Sequence, residues 1–215
     1  MYYEGGYLPF VNCEIRVRSR LPYLFNKFQV IQVLTILLDC GMMYGMNEII
    51  INRTWAMPNK WTFKVKPIYE LIIRYATDGV GWADPFAGQS NIAEYRNDLN
   101  PEHNQPYSME AVEFMESLDV PLQGVIFDPP YSLTQVSRSY KDFGLNFKSK
   151  ENPTGGFPKV KDEISRLVVV GGYVISFGWN TVGMGKGRGF DIVEILIVSH
   201  GGNHNDTLCT VEKKP

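Results

Sequence analysis

The spacing of hydrophobic and polar residues changes along the chain and predicts two regions. In "VNCEIRVR", apolar positions from Val11 to Val17 alternate with polar ones, which predicts a half-buried strand. Between Phe25 and Leu38 the polar residues mostly recur at every third position, which predicts a largely buried helix with one narrow polar stripe. Turn-like and loop-like segments follow. We therefore expect a small N-terminal annex over residues 1–59.

From Lys60 onward, predicted helices and strands alternate. The predicted helices cover about 67–75, 108–117, a stretch after Tyr131 and 158–169, and the predicted strands cover 79–83, 93–98, 124–127, 173–178, 190–199 and 207–214. Pro67 is suited to a helix start, Ser132 and Gln135 have the spacing of a capping box, and glycines 171 and 172 are expected to close a helix. The last two strands are expected to form a pair joined by "HGGNHND". Residues 60–215 are thus predicted to form an α/β domain with a mostly parallel sheet and helices on both faces.

Composition places the chain among ordinary soluble proteins. Of its 215 residues, 44% are hydrophobic and 20% are charged, and the net charge of −2 gives no global sign of a nucleic-acid partner. The three cysteines lie far apart, which favours a reducing, cytoplasmic setting over a disulfide framework. No segment predicts a membrane span. His200 and His204 flank a turn and lack a third ligand, so we expect no metal site.

Two predicted strands end in similar motifs, "WADPFAG" and "IFDPPY". In each, an aspartate precedes a proline, and an aromatic residue follows within two positions. Ligands of parallel sheets bind beyond these carboxyl ends of the strands. The first motif opens a glycine turn, Asp84 to Gly88, where Gly88 lets backbone approach a ligand closely. A structural turn is the alternative for the second motif, and another nucleotide-like ligand is the alternative for the first.

Two other glycine-rich motifs are not matched. The first motif lacks the second glycine of a dehydrogenase fingerprint, and "GMGKGRG" at 183–189 lacks the serine or threonine of a phosphate loop.

The second motif holds a carboxylate and a carbonyl rigidly side by side. Proline fixes its own φ and keeps the preceding residue extended, so Asp128 and Pro129 present two acceptors and no donor. Their complement is an NH₂ group. When an exocyclic amine donates both of its hydrogens there, its lone pair is less conjugated with the ring and can attack an electrophile. Tyr131 offers a flat face on which a base can stack.

These residues resemble the S-adenosylmethionine-dependent amino-methyltransferases, chiefly the N6-adenine DNA methyltransferases. The resemblance covers about Lys60 to Lys214 and implies a Rossmann-like methyltransferase fold with an antiparallel C-terminal strand. It implies catalytic roles for Asp128, Pro129, Pro130 and Tyr131, and S-adenosylmethionine binding by Lys66, Pro67, Asp84, Pro85, Phe86, Gly88 and Asp98. Gln89 and Ser90 stand where that family usually has a second glycine.

Local charge supports a nucleic-acid partner. The segment 132–161 carries six basic residues against two acidic ones, although a solvated helix face could also explain this excess. The expected DNA contacts are Arg138, Lys141, Lys148, Lys150, Lys186 and Arg188. RNA is the alternative substrate, and an inactive nucleic-acid-binding module is the alternative function. Recognition could be loose, or it could rest on Arg16, Arg18 and Arg20 or on a separate specificity partner. A homodimer formed through the 25–38 helix is a further possibility.

Overall fold

The computed structural model describes residues 48–142 and 157–215. Contacts divide the chain into Met1–Met46 and Asn47–Pro215, and every described residue belongs to the second unit. Several predictions fall outside the described residues: the strand at 11–18, the helix at 25–38, the three arginines of the annex, and the DNA contacts Lys148 and Lys150.

Seven strands form one sheet in the described part of the chain. They are β1 (Ile50–Trp55), β2 (Trp82–Asp84), β3 (Tyr95–Arg96), β4 (Leu122–Phe127), β5 (Val168–Gly178), β6 (Asp191–Ser199) and β7 (Thr207–Lys213). Their order is β1-β6-β7-β5-β4-β2-β3. Strand β7 is antiparallel to both of its neighbours, and all other pairings are parallel. The predicted fold class, a mostly parallel sheet with an antiparallel C-terminal strand, is confirmed.

Helices cover both faces of this sheet. The α-helices are α1 (Lys66–Tyr75), α2 (Ala111–Ser117), α3 (Leu133–Asp142) and α4 (Pro158–Leu167). Side chains of β4 alternate between the faces, as the strand period of two requires. Val125 and Phe127 join the core cluster built with α2 and α4, whereas Ile126 joins the cluster built with α1. Within the described residues, no helix has the length and apolar character to cross a bilayer.

The helix predicted to end at about Val169 ends earlier in the structure: α4 stops at Leu167, and β5 starts at Val168. Three consecutive β-branched valines favour a strand there. Gly171 has a φ of +86° and interrupts β5 where its register against β4 shifts, so it forms a bulge in the strand. The glycine that was expected to end a helix therefore bends a strand.

Two other boundaries differ from the prediction for local reasons. Strand β1 is not predicted; it lies within the range assigned to the annex and pairs in parallel with β6 at the sheet edge. Helix α2 starts at Ala111 rather than at Ser108. Both polar atoms of the buried Asn97 side chain bond the backbone of Met109, at 3.0 Å each, and hold that segment outside the helix.

Candidate active site at the carboxyl ends of two strands

The order of strands brings the two aspartate motifs together. The chain passes from β2 outward to β3 and then returns to place β4 on the other side of β2. This reversal is the point at which doubly wound sheets bind ligands. Asp84 is the last residue of β2, and Asp128 directly follows β4. Strands β2 and β4 are paired in parallel, so both motifs lie at the same edge of the sheet.

Asp84 is fully buried and organises the first turn. Its Oδ1 accepts a hydrogen bond from the Phe86 N–H at 3.0 Å, whereas its Oδ2 has no hydrogen-bond partner. Burial raises the pKa of Asp84 well above its usual range; the bond from Phe86 opposes this rise, and the nearby Asp128 and Asp98 carboxylates add to it. A buried carboxylate oxygen without a donor is costly. A cationic ligand near this turn would offset that cost through its charge, without contacting the buried oxygen.

The glycine turn is held in place by Asp98. The Gly88 N–H donates to Asp98 Oδ2 at 2.7 Å, and the Asn100 N–H donates to Asp98 Oδ1 at 2.8 Å. The Gln105 amide donates to the carbonyl oxygens of Gly88 and Ser90, at 2.7 and 2.9 Å. A carboxylate has about four acceptor positions. His103 Nδ1 also lies 3.0 Å from Asp98 Oδ1, so Asp98 fixes the turn with three of these positions occupied and keeps one for a ligand.

Trp61 lies over the glycine turn and is a site residue that the sequence analysis missed. Gly88 has a φ of +53°, and a Cβ built on it would lie 3.2 Å from Cζ3 of Trp61. The Trp61 and His103 rings also pack edge to face, with 5.4 Å between their centroids. The close contact between indole and glycine explains why this position needs both a permissive φ and no side chain.

The second motif presents its carboxylate to a cleft. The Tyr131 hydroxyl donates to Asp128 Oδ1 at 2.6 Å. Burial raises the pKa of Asp128 to about 6, while hydrogen bonds from the Tyr131 and Thr62 hydroxyls lower it. Asp128 is thus mostly ionised at neutral pH and acts there as an acceptor. Thr62, in the 3-10 turn Thr62–Lys64, is a second residue that the sequence analysis did not identify.

The segment after Tyr131 enters helix α3 much as predicted. The Ser132 hydroxyl accepts a hydrogen bond from the Gln135 N–H at 3.2 Å, as in a capping box. The Gln135 side chain returns to the N–H of Tyr131 at 2.6 Å, one residue earlier than a standard box would place it. Tyr131 is therefore fixed at both its backbone and its hydroxyl.

A cleft of about 990 Å³, here called the main cleft, joins the two motifs. Of the predicted site residues, it is lined by Pro85, Phe86, Gly88, Asp98, Asp128, Pro129, Pro130, Tyr131 and Arg138. Asp84 lies behind the turn, and Lys66 and Pro67 open α1 without lining the cleft. The preceding residues Lys60 to Lys64 line it in their place.

Of the other predicted DNA contacts, the three that the structure describes, Lys141, Lys186 and Arg188, do not line this cleft. Lys141 is exposed on α3. Lys186 and Arg188 belong to a 3-10 turn before β6, where Arg188 Nε pairs with Asp162 Oδ1 at 2.7 Å. The carbonyl of Arg188 also accepts a hydrogen bond from the Ser165 hydroxyl at 2.9 Å. This turn packs on α4 instead of meeting the main cleft.

Comparisons with known proteins bear on the fold. No protein-family model and no curated protein matches the sequence. The structure is similar to TrmN from Thermus thermophilus, with a TM-score of 0.46 and 14% identity over 70% of this chain and 49% of that one, so the match spans about half of TrmN. An rRNA methylase from Streptococcus thermophilus gives a TM-score of 0.46 at 12% identity over 69% of this chain and 97% of that one.

A third similar structure is a Streptococcus mutans protein described as a methyltransferase in complex with SAH. Its TM-score is 0.44 at 15% identity, over 67% of this chain and 96% of that one.

Proposed function

We propose that the chain is an S-adenosylmethionine-dependent methyltransferase that modifies the exocyclic N6 amine of adenine in DNA. The observation that carries this proposal is the shared main cleft. One cleft is lined both by the glycine turn after β2 and by the Asp128–Tyr131 motif after β4. A methyl donor at the first and an amine at the second would meet within that cleft.

The residues of the first turn fit the proposed cofactor. Gly88 lets the Trp61 ring pack closely over the turn, so the indole is available as a flat wall of the main cleft, and Asp84 Oδ2 is a buried oxygen without a hydrogen-bond partner. Burial favours the neutral form of Asp84, and we expect the cationic methionine end of the cofactor to favour its ionised form and to be attracted to that charge across a low-dielectric interior. We expect Asp98, with its remaining acceptor position, to accept from a ribose hydroxyl.

The residues of the second turn fit an amine on a flat ring. When bound, the cofactor supplies an electrophilic methyl group. The ionised Asp128 carboxylate and the Pro129 carbonyl accept the two amine hydrogens, which frees the amine lone pair for attack. Asp128 is also placed to receive the proton that the amine releases. Tyr131 supplies a stacking face and holds the carboxylate through its hydroxyl, so catalysis rests on positioning and electrostatics.

DNA as the substrate is proposed from local charge and chemistry. Arg138 lines the main cleft, and Lys141 follows on the same helix within one turn. Cationic side chains there would neutralise backbone phosphates. An adenine inside a duplex reaches the cleft only if it is flipped out, at a cost of a few kcal/mol.

The test is methyl transfer from isotopically labelled S-adenosylmethionine to unmethylated duplex DNA and to RNA. Digested nucleosides are then identified by mass spectrometry. Labelled N6-methyladenine from DNA is the expected result. Label found only in RNA would keep the mechanism and change the substrate, whereas no label and no cofactor binding would favour an inactive nucleic-acid-binding module.

A further inference from the structure

A second, polar cleft of about 400 Å³ adjoins the main cleft, and we call it the flanking cleft. The two clefts share Lys60, Thr62, Tyr131 and Gln135, so the side chains around Asp128 form their common wall. Its polar and aromatic lining comes mainly from Asn59 after β1, Trp179 after β5, and residues 203–205 in the loop between β6 and β7. The other lining residues are Pro58, Val65, Ile68, His200 and Thr207.

Sheet topology explains why these distant segments meet. Strands β1, β4, β5 and β6 all run parallel, so their carboxyl ends lie along one edge of the sheet. The loop between β6 and β7 is anchored there by His200, whose ring nitrogens lie 2.9 Å from the Ala56 carbonyl oxygen and from the Thr207 hydroxyl. The flanking cleft is therefore held by the sheet, beside the proposed reaction site.

The lining of the flanking cleft has the chemistry of a polynucleotide site. Four amide side chains line it, from Asn59, Asn203, Asn205 and Gln135, together with Lys60 and His204. Amides can pair with the donor and acceptor groups of base edges, and cationic side chains contact phosphates. Among its described lining residues, none is an aspartate or a glutamate. An anionic strand would meet no like charge there.

Trp179 supplies an aromatic surface in this polar setting. Trp179 directly follows β5 and is 42% exposed. Its ring centroid lies 5.7 Å from that of Tyr131, with an angle of 75° between the planes. Two rings at this angle cannot hold one flat base between parallel faces. Trp179 is therefore oriented for a different base from the one that Tyr131 would stack.

We infer that the flanking cleft binds the nucleotide next to the target adenine, with Trp179 as the stacking face for its base. This inference rests on the proposed function and adds a substrate subsite to it. The chemical class of the ligand is an unpaired nucleotide of the DNA strand that carries the target adenine. In a duplex, this nucleotide would have to leave its base pair together with the adenine. Stacking on an aromatic side chain tolerates any base, so Trp179 contributes affinity, and the amides are the groups able to discriminate between bases.

The test measures binding of fluorescently labelled single-stranded DNA by anisotropy, with and without an abasic position beside the adenine. Trp179→Leu, which removes the aromatic face but keeps an apolar side chain, is expected to weaken binding of intact DNA by about 5- to 150-fold. Trp179→Phe should recover most of this loss. With the abasic DNA, the wild-type protein and Trp179→Leu should bind about equally, because no base is left to stack.

Two results separate this inference from the proposed function. If Trp179→Leu lowers the rate of methyl transfer equally on intact and abasic DNA while affinity stays unchanged, Trp179 only supports Tyr131 and the inference is overturned, although the methyltransferase proposal stands. If no substrate is methylated but the base-dependent loss of affinity remains, the proposed function fails and the subsite stands. A matching RNA oligonucleotide that binds more tightly, with the same Trp179 dependence, would overturn DNA as the ligand.

Discussion

The ends of β2 and β4 carry the same residue pattern in different surroundings. Asp84 is fully buried, accepts one bond from the backbone and lies behind the turn that it organises. Asp128 lies at the cleft and accepts a hydrogen bond from the Tyr131 hydroxyl, and the Thr62 hydroxyl also lowers its pKa. The comparison shows that an aspartate followed by proline can serve two purposes at one sheet edge. The first shapes a backbone loop, and the second presents a carboxylate to a ligand.

The largest expected effect is a loss of methyl transfer when Asp128, at the end of β4, is replaced. Asp128→Ala should lower methyl transfer by about 10²–10³-fold or more, because it removes the acceptor proposed for the amine. Cofactor affinity, measured by calorimetry, should stay nearly unchanged. Asp128→Asn is the matched control, since it keeps the size of the side chain and still loses activity by placing an NH₂ group against the amine. Turnover close to wild type in either variant would contradict the mechanism.

The next largest effect is a loss of cofactor affinity when the buried Asp84, at the end of β2, is replaced. Asp84→Ala should weaken the cofactor about 10-fold or more, and it should also destabilise the fold by about 1–3 kcal/mol because the Phe86 N–H loses its acceptor. Asp84→Asn keeps that acceptor and removes the charge. It should therefore lose cofactor affinity while remaining at least as stable as the wild type, because burial disfavours the charged carboxylate. Calorimetry and thermal unfolding measure the two effects, and wild-type cofactor affinity in both variants would remove Asp84 from the site.

A smaller effect is expected at the glycine of the first turn. Gly88→Ala adds a Cβ at a φ of +53° and close to Trp61, so it should cost about 1–2 kcal/mol of stability and also weaken the cofactor. Gly189 is the matched control, because it has a φ of +80° and a Cβ added there would meet no atom within 4 Å. Gly189→Ala should lose similar stability and keep cofactor affinity. Equal affinity losses in both variants would show a general effect of strain.

The smallest effect is a shift in pH dependence at the second end. Asp128 must be ionised to accept from the amine, so kcat/KM should fall as pH drops below about 6. The Tyr131 hydroxyl lowers that pKa, so Tyr131→Phe should move the midpoint upward, by up to about one unit. Tyr75→Phe removes a hydroxyl that bonds the buried Glu194 and should leave the midpoint in place. A midpoint that stays fixed or moves downward in Tyr131→Phe would contradict the assignment.

Periodicity and turn chemistry were sufficient to predict much of the fold. The alternation of strands and helices after Lys60 and the closing β6–β7 pair are both present in the structure. β1 was missed although Ile49 to Ile51 form a β-branched run, because turn-like residues surround it and its side chains are mostly exposed. The start of β5 was missed because a glycine after a helix ordinarily signals a helix end.

The candidate site was predictable only where a motif marks it. Asp84 and Asp128 each follow an apolar strand and precede proline, so they could be placed at one sheet edge from sequence. Trp61, Thr62 and Trp179 have no such signal. They reach the clefts from a loop before α1 and from the end of β5, and only the strand order brings those segments beside Tyr131.

Strand β7 comes last of the seven along the chain but lies third in the sheet, between β6 and β5. During synthesis, both aspartate motifs and the first six strands leave the ribosome before it. Strand β6 has no direct pairing with β5, so β1 and β6 cannot join the growing sheet until β7 inserts between them. From the emergence of β6 until β7 follows, β5 and β6 each keep one inner edge unpaired, and those edges are where misassembly would begin.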